Sequence, residues 1–162
     1  MATTDLSQYD INKVPFLPDA KVGIVVSEWN FEITAALRNG AVATLIKHGV
    51  KEGNIIVEYV PGSFELIYGA KLLASVSDID GIIAIGAVIR GETPHFDFIS
   101  QGVTYGIAQL NAKLSLPVIF SVLTTENFEQ AADRAGGKHG NKGVEGAVAL
   151  LKMIDLSRKY NR

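Results

Sequence analysis

A short, wholly apolar run from Gly81 to Ile89 breaks abruptly into the polar sequence Arg90-Gly91-Glu92-Thr93-Pro94-His95. Such a run is typical of a central strand that is buried on both faces of a parallel sheet. Since ligands of open α/β sheets bind at the carboxyl ends of the strands, the polar cluster lies where a site is expected. It combines a glycine, a cation, a hydroxyl, a helix N-terminus and an imidazole. We therefore expect a site for an anionic substrate with a proton-transfer group beside it.

Three further apolar runs have the same character, and stretches with helical periodicity separate them. Strands are predicted at residues 22–26, 54–60, 81–89 and 117–123. Helices are predicted from Asn30 to Gly49, from Ser63 onward, from His95 to Ala112, over a short stretch that ends near Arg134, and from residues 141–143 onward. Strands that alternate with helices predict an α/β fold with a four-stranded parallel sheet and helices on both faces.

Local interpretations follow at the ends of these elements. Asn30 is predicted to cap the first helix, Gly49 to end it, and His48 to act as a cation at its C-terminus. Residues 124–127 are predicted to cap the short helix. The glycine-rich stretch 136–143 is expected to be a flexible loop.

Composition narrows the classes of function. The chain has 162 residues and a formal net charge of −2, so it lacks the basic excess of a nucleic-acid-binding protein. It has no cysteine and three scattered histidines, which disfavours a structural zinc site. We expect a polar arm over residues 1–20, containing Pro15 and Pro18, and a single domain over residues 21–162. With neither a signal peptide nor a membrane-length apolar run, a cytoplasmic protein is expected.

Three generic catalytic or nucleotide-binding motifs are missing. The first strand is followed by Ser27-Glu28-Trp29-Asn30, so the dinucleotide fingerprint G-x-G-x-x-G is absent there. The glycine-rich stretch 136–143 does not match a P-loop, and no G-x-S-x-G elbow occurs. A dinucleotide-binding enzyme, a P-loop NTPase and an α/β-hydrolase are therefore disfavoured.

Distinctive residues follow every predicted strand and would meet at one edge of the sheet. With their flanking sequences, these segments closely resemble the 6,7-dimethyl-8-ribityllumazine synthase family. The match extends from Lys21 to Leu156, and it is carried by Val60–Leu66, Gly86–Asp97, Thr124–Asn127, Arg134–Gly136 and Gly140–Gly143. Several long motifs in one order make this resemblance specific.

The resemblance implies a flavodoxin-like, three-layer α/β/α sandwich and a transferase of riboflavin biosynthesis. In that reaction, 5-amino-6-ribitylaminopyrimidinedione condenses with 3,4-dihydroxy-2-butanone 4-phosphate. Schiff-base formation, phosphate elimination and ring closure give the lumazine and release water and phosphate. Members of the family use no metal and no organic cofactor, so the chemistry requires orientation and proton transfer.

The resemblance assigns the pyrimidine side of the site to residues after the first two strands. Trp29 corresponds to an aromatic platform that stacks on the pyrimidine, although an aromatic residue at a strand end can also be core. Ser63 and Glu65 correspond to substrate contacts, with Glu65 accepting hydrogen bonds from the ribityl hydroxyls. A first-turn glutamate favoured by the helix dipole is the structural alternative for Glu65. Phe64 is read as mainly structural, with its backbone near the ligand.

The resemblance also assigns the strand-three segment. Val88 and Ile89 would present backbone groups to the pyrimidine edge, and Gly91, Glu92 and Thr93 would cradle the phosphate. Glu92 departs from the family pattern, and a carboxylate beside a phosphate is unfavourable unless it is directed away.

The remaining assignments concern proton transfer and phosphate binding. His95 corresponds to the general acid/base, whereas a lone histidine at a helix start would ordinarily be a surface residue. Phe120 would line the ribityl pocket. Arg134 would bind the phosphate through its planar guanidinium, and Lys142 would add a second cation. Taken alone, these three suit a core aromatic, a helix-dipole partner and a solvated loop cation. Family geometry places all three on a neighbouring subunit.

The resemblance further implies a homo-oligomer with active sites between subunits. Family members form pentamers or shells of twelve pentamers, and residues 8–13 could add a strand to a neighbour's sheet. The compact stretch 134–143 favours the sixty-subunit shell. The substrates are the expected partners, without nucleic acid or membrane. A flavin-binding protein that uses Trp29 without turnover and a structural shell protein are the main alternatives; another phosphosugar enzyme of this fold is more remote.

Overall fold

The computed structural model describes residues 5–76 and 78–160. Along the chain it contains β1 (Val22–Ser27), α1 (Phe31–Lys47), β2 (Ile55–Val60), α2 (Leu66–Val76), β3 (Gly81–Ile89), α3 (His95–Lys113), β4 (Val118–Thr125), α4 (Phe128–Asp133), β5 (Ala135–Gly137), β6 (Gly140–Asn141) and α5 (Lys142–Tyr160). Short 3-10 turns lie at Ile11–Lys13 and Glu52–Asn54. None of the helices in the described part of the chain is long and apolar enough to cross a membrane.

The predicted parallel sheet is confirmed. Its strand order is β2-β1-β3-β4, and all three neighbouring pairs are parallel. The two central strands, β1 and β3, are those whose apolar runs are least interrupted, because both of their faces are covered by helices. The four carboxyl ends therefore lie along one edge of the sheet.

Two hydrophobic layers hold the helices against the sheet. Along β1, successive side chains face opposite layers, so Ile24 packs with α1 and α5, whereas Val25 packs with α2 and α3. Both side chains are fully buried, and burying a residue of this size stabilises the fold by about 1.5–3 kcal/mol. Helices α1 and α5 approach very closely: a Cβ on Gly143 would lie 1.9 Å from the carbonyl oxygen of Leu37. The three-layer arrangement thus depends on a glycine at this crossing.

Side-chain hydrogen bonds cap two helices, and the first of them confirms the predicted cap of the short helix. Asn127 accepts a hydrogen bond from the Gln130 amide at 2.9 Å and opens α4. The Asn141 side chain accepts from the amides of Gly143 and Val144 and opens α5. In both cases an asparagine oxygen satisfies amides that the first helical turn leaves without partners.

Three local predictions are wrong. The second helix begins at Leu66, because residues 63–65 form a turn after Pro61-Gly62. The stretch 136–143 lies mostly in the β5–β6 hairpin over residues 135–141, which two glycines make possible: Gly136 and Gly140 have φ values of 117° and 79°. Asn30 precedes α1 but does not cap it with its side chain.

The prediction for His48 is also wrong. The residue is buried, and burial, together with the nearby charge of Lys47, lowers the pKa of its imidazole. A neutral ring is therefore favoured over the predicted cation at the helix C-terminus. The ring lies within hydrogen-bond distance of the Tyr9 hydroxyl, with 3.0 Å between oxygen and Nε2. Gly49, by contrast, ends α1 as predicted, with a positive φ of 92°.

The described residues of the N-terminal arm pack against their own chain. The amide of Leu17 donates to the carbonyl of His48 at 2.9 Å, and the Phe16 ring covers Gly49. Within the range 8–13, residues Ile11–Lys13 form a 3-10 turn in this single chain. Strand addition to a neighbouring subunit stays a prediction.

Candidate active site

A pocket of about 290 Å³ lies at the carboxyl ends of β1, β2 and β3. Ten residues line it: Trp29, Asn30, Ser63, Phe64, Glu65, Ala87, Val88, Ile89, His95 and Ile99. Seven of the residues singled out in the sequence are thus brought together. Asn30, Ala87 and Ile99 were missed, because nothing in their residue types points to a ligand before the backbone path is known.

The loops after β1 and β2 are joined through their backbones. The amide of Glu28 donates to the carbonyl of Val60 at 2.8 Å, and that of Trp29 donates to Pro61 at 3.0 Å. Gly62 lies under the indole, since a Cβ there would be 2.6 Å from two ring carbons of Trp29. The indole itself is 64% exposed. Trp29 therefore lies at the surface beside the pocket, so the alternative of a core aromatic does not apply.

Asn30 links the same loop to the central strand. Its side-chain Nδ2 donates to the carbonyl of Ala87 at 3.0 Å, and its backbone is left-handed, with φ 59° and ψ 43°. Asparagine tolerates this conformation better than most residues. This one residue consequently turns the chain from Trp29 into α1 and ties the turn to β3.

Ser63 and Glu65 add polar residues to the lining of the pocket. The Ser63 hydroxyl is buried and has no hydrogen-bond partner among the described residues. A buried hydroxyl without a partner is costly, so the site has an unused hydrogen-bonding group that a ligand could satisfy. The carboxylate of Glu65 accepts a hydrogen bond from the Gly62 amide at 3.0 Å and retains lone pairs for further donors.

The loop between β3 and α3 is open to solvent. Gly91, Glu92 and Thr93 are exposed, and a Cβ on Gly91 would meet no other atom within 4 Å. Helix α3 begins directly after Pro94, whose carbonyl accepts from the amides of Asp97 and Phe98. His95 is the first residue of this helix, so it lies between the exposed loop and the pocket.

The other three sequence-predicted site residues lie elsewhere in the chain. Phe120 lines a separate groove together with Ser100, Tyr105 and Thr124. Arg134 follows α4 as its C-terminal cap residue. Lys142 opens α5, with its ammonium 2.8 Å from the carboxylate of Glu145. A single chain therefore does not bring these residues to the Trp29 pocket.

The pocket has an aromatic face, apolar strand ends, a carboxylate and an imidazole. Within residues 5–76 and 78–160, no group of three or more histidine, aspartate or glutamate side chains could hold a metal ion. The arrangement can stack a flat polar ring, hydrogen-bond its substituents and transfer a proton. Fold and pocket together define an α/β enzyme of the open-sheet type, with its site at the carboxyl edge.

Comparison with known proteins identifies the family. The family model for 6,7-dimethyl-8-ribityllumazine synthase matches residues 19–158. The chain is 57% identical to the 6,7-dimethyl-8-ribityllumazine synthase of Porphyromonas gingivalis over 98% of its own length and 99% of that protein. It is 60% identical to the enzyme of that name from Bacteroides fragilis over 88% of its length and 99% of the relative. It is 53% identical to the 6,7-dimethyl-8-ribityllumazine synthase of Parabacteroides distasonis over 97% of its own length and 99% of that protein.

The chain belongs to the 6,7-dimethyl-8-ribityllumazine synthase family. The resemblance inferred from the sequence motifs is therefore confirmed, as is the α/β fold with its four-stranded parallel sheet. The expected activity, that of a transferase in riboflavin biosynthesis, is confirmed with it.

Proposed function

We propose that the Trp29 pocket is the active site at which this chain condenses 5-amino-6-ribitylaminopyrimidinedione with 3,4-dihydroxy-2-butanone 4-phosphate. One observation carries the proposal: a single pocket joins the Trp29 platform, the unpartnered hydroxyl of Ser63, the Glu65 carboxylate and the His95 imidazole. Each of these groups meets a need of this reaction, and all lie in a chain of the lumazine synthase family.

The pyrimidinedione is proposed to stack on Trp29, whose large π face suits a flat, polar ring. The ribityl hydroxyls then reach the Glu65 carboxylate, and the Ser63 hydroxyl gains a partner. Val88 and Ile89 offer backbone groups to the ring edge at the end of β3, and the Phe64 backbone lies nearby. These contacts orient the amino group toward His95.

The butanone phosphate is proposed to bind at the β3–α3 loop. The amides of Gly91, Glu92 and Thr93, together with the Thr93 hydroxyl, precede the N-terminus of α3, a region that favours anions. The Glu92 side chain is exposed, so solvent screens its charge. Arg134 and Lys142 of a neighbouring subunit supply the cations that the loop itself lacks.

His95 is proposed to move the protons. As the pyrimidine amine attacks the butanone carbonyl, the imidazole accepts a proton from the nitrogen. It returns that proton to the carbinolamine oxygen, and once the second amine proton has moved the same way the oxygen leaves as water and the Schiff base forms. Phosphate then leaves from the butanone chain, and the second amine closes the ring with loss of a further water. Holding the two substrates side by side in one pocket contributes further acceleration.

Family membership implies a homo-oligomer, and a site shared between subunits explains where the predicted residues lie. Phe120, Arg134 and Lys142 do not line the Trp29 pocket of their own chain, whereas Trp29 lines it and is largely exposed. We propose that the three residues complete a neighbour's pocket within a pentamer, and that pentamers build a sixty-subunit shell. In this proposal, residues 8–13 add a strand to a neighbour's sheet. The protein is also proposed to be cytoplasmic.

Turnover tests the proposal directly. The two substrates are mixed with the protein, and lumazine fluorescence is followed against the spontaneous background reaction. We expect acceleration by the unaltered chain, and a large loss in both His95→Ala and Arg134→Ala. No acceleration, with riboflavin still bound, would favour a flavin-binding protein instead.

Mixing the two inactive variants tests the shared site. If His95 and Arg134 act from different subunits, random co-assembly after unfolding and refolding restores unaltered sites at about a quarter of the interfaces. If both act within one chain, no activity returns. Light scattering reports the mass of the same samples and separates a pentamer from a shell.

A further inference from the structure

Arg90 stands at the end of β3, directly after the strand residues that line the pocket, yet it does not line the pocket itself. Its amide donates to the carbonyl of Thr125 at 2.9 Å and so extends the β3–β4 pairing. Its guanidinium Nε donates to the Glu126 carboxylate at 2.8 Å. Its two terminal nitrogens donate to the two oxygens of Asp97 at 3.1 and 3.4 Å.

The guanidinium also lies over an aromatic ring. Its central carbon is 4.0 Å from the centre of the Phe96 ring. Phe96 and Asp97 are the two residues that directly follow His95 in the first turn of α3. Arg90 therefore contacts both residues that fix the direction of the backbone after His95.

The chain between Arg90 and His95 provides little support of its own. Residues 91–94 are exposed, and Gly91 has open space around its Cα. Through Arg90, the start of α3 is instead joined to the end of β3 and to the loop after β4. The guanidinium thus connects three segments that meet at the active-site edge of the sheet.

Only arginine suits this arrangement. Its planar fork can serve two carboxylates at once and stack on a ring, whereas the ammonium of lysine is a compact point charge. Asp97 and Glu126 raise the pKa of Arg90 further, so the group stays charged. The three side chains are partly exposed, at 35% for Arg90, 49% for Asp97 and 60% for Glu126, and such pairs add little to stability. Their effect lies in orientation.

We propose that Arg90 is a positioning residue for His95, holding the first turn of α3 so that the imidazole faces the reacting amine. This inference rests on the proposed function, in which His95 is the catalytic acid/base. Stacking on Trp29 does not depend on Arg90, because the loops after β1 and β2 are held by their own backbone hydrogen bonds.

The first experiment compares Arg90→Gln, Arg90→Lys and Asp97→Asn with a matched control. Arg158→Gln is that control, because Nη2 of Arg158 donates to both carboxylate oxygens of Asp80 at 3.2 Å, and Asp80 directly precedes the opposite end of β3. We expect kcat to fall about tenfold or more in Arg90→Gln, since small misplacements of a catalytic group are costly. Arg90→Lys should resemble it, and Asp97→Asn should lie between. Arg158→Gln should keep its kcat.

A second readout separates positioning from a general structural role. Trp29 is the only tryptophan, so quenching of its fluorescence reports ligand in the pocket. We expect the lumazine dissociation constant of the Arg90 variants to stay within about twofold of that of the unaltered chain while kcat falls. The contacts that hold the ligand in the pocket are left intact, and only the placement of the imidazole changes. Equal losses of binding and kcat, or an unchanged kcat, would overturn the inference.

A double-mutant cycle tests whether Arg90 acts through His95. In the His95→Ala background, Arg90→Gln should cause no further loss, because no imidazole remains to be positioned. Additive losses would refute the inference while leaving His95 as the catalytic residue. Full activity of His95→Ala would instead refute the proposed function. If Arg90→Gln does not fold, Asp97→Asn enters the same cycle under the same criteria.

Discussion

Replacing Asn30 by alanine and by glycine separates two contributions to the turn that carries Trp29. Asn30 is the only residue other than glycine with a positive φ in the described part of the chain, and its side chain bonds the carbonyl of Ala87. Both substitutions remove the hydrogen bond. Only alanine also places a Cβ in the left-handed conformation with no side-chain hydrogen bond to offset its cost. Asn30→Ala is therefore expected to be the less stable variant.

The expected magnitudes follow from these two contributions. Loss of the hydrogen bond costs about 1 kcal/mol in both variants. The left-handed conformation costs alanine a further 1–2 kcal/mol, roughly, while glycine loses about 0.4–1 kcal/mol through the greater freedom of its unfolded chain. Asn30→Ala should thus lose about 2–3 kcal/mol and Asn30→Gly about 1.5–2 kcal/mol.

Urea unfolding followed by circular dichroism measures both free energies of unfolding. The protomer concentration must be the same in all samples, because assembly contributes to apparent stability. Both variants should also bind lumazine less tightly, since the Asn30 side chain anchors the loop after Trp29. If Asn30→Ala proves at least as stable as Asn30→Gly, the reasoning from backbone strain is refuted.

Three further predictions concern the pocket and the arm. Trp29→Phe should bind lumazine or riboflavin about two- to tenfold more weakly, because its stacking face is smaller; equal dissociation constants, followed by ligand fluorescence, would contradict this. Gly86→Ala places a Cβ 2.6 Å from the Ser63 hydroxyl and 2.9 Å from the Leu66 side chain. Because neither neighbour leaves room for it, the substitution should lower the free energy of unfolding by about 1–3 kcal/mol and raise KM for the pyrimidinedione. Urea unfolding measures the first effect, and initial rates measure the second. Because burial lowers the pKa of His48, the unfolded chain binds the proton first, and stability should fall as the pH drops below about 6.5, by up to about 1.4 kcal/mol per pH unit. Urea titrations of the unaltered chain and of His48→Gln at pH 5 to 8 should show that the substitution removes this dependence, and an equal slope in both would be evidence against it.

The helices and strands are largely predictable because their signals are local. The apolar runs of β1 and β3 are uninterrupted, and periodic apolar faces mark the long helices. Asn127 caps α4 as expected, because a cap requires only a side chain and an amide two or three residues away. The pocket edge follows from the parallel topology, which places all strand ends together.

Two of the failed predictions, those for Asn30 and His48, involve partners that are distant in sequence. Asn30 bonds Ala87 rather than its own helix, and His48 is buried beneath Tyr9 of the arm. No local pattern reveals either contact, since both depend on how the strands and the arm are brought together. The β5–β6 hairpin is a different case: its glycines suggested flexibility, whereas their positive φ values allow a tight, ordered turn.

The sequence thus reveals which chemical groups the protein carries, and the tertiary structure reveals how those groups are arranged. The residue types and their order along the chain were sufficient to identify the family, because its motifs are long and lie directly at strand ends. The folded structure was needed to show that Ser63 has a buried, unpartnered hydroxyl. It was also needed to show that Arg90 bonds Asp97, two residues after His95, and that Arg134 does not line the Trp29 pocket of its own chain. The reason is physical: burial and hydrogen-bond partnership are properties of the packed chain, and they arise between residues that no local pattern relates.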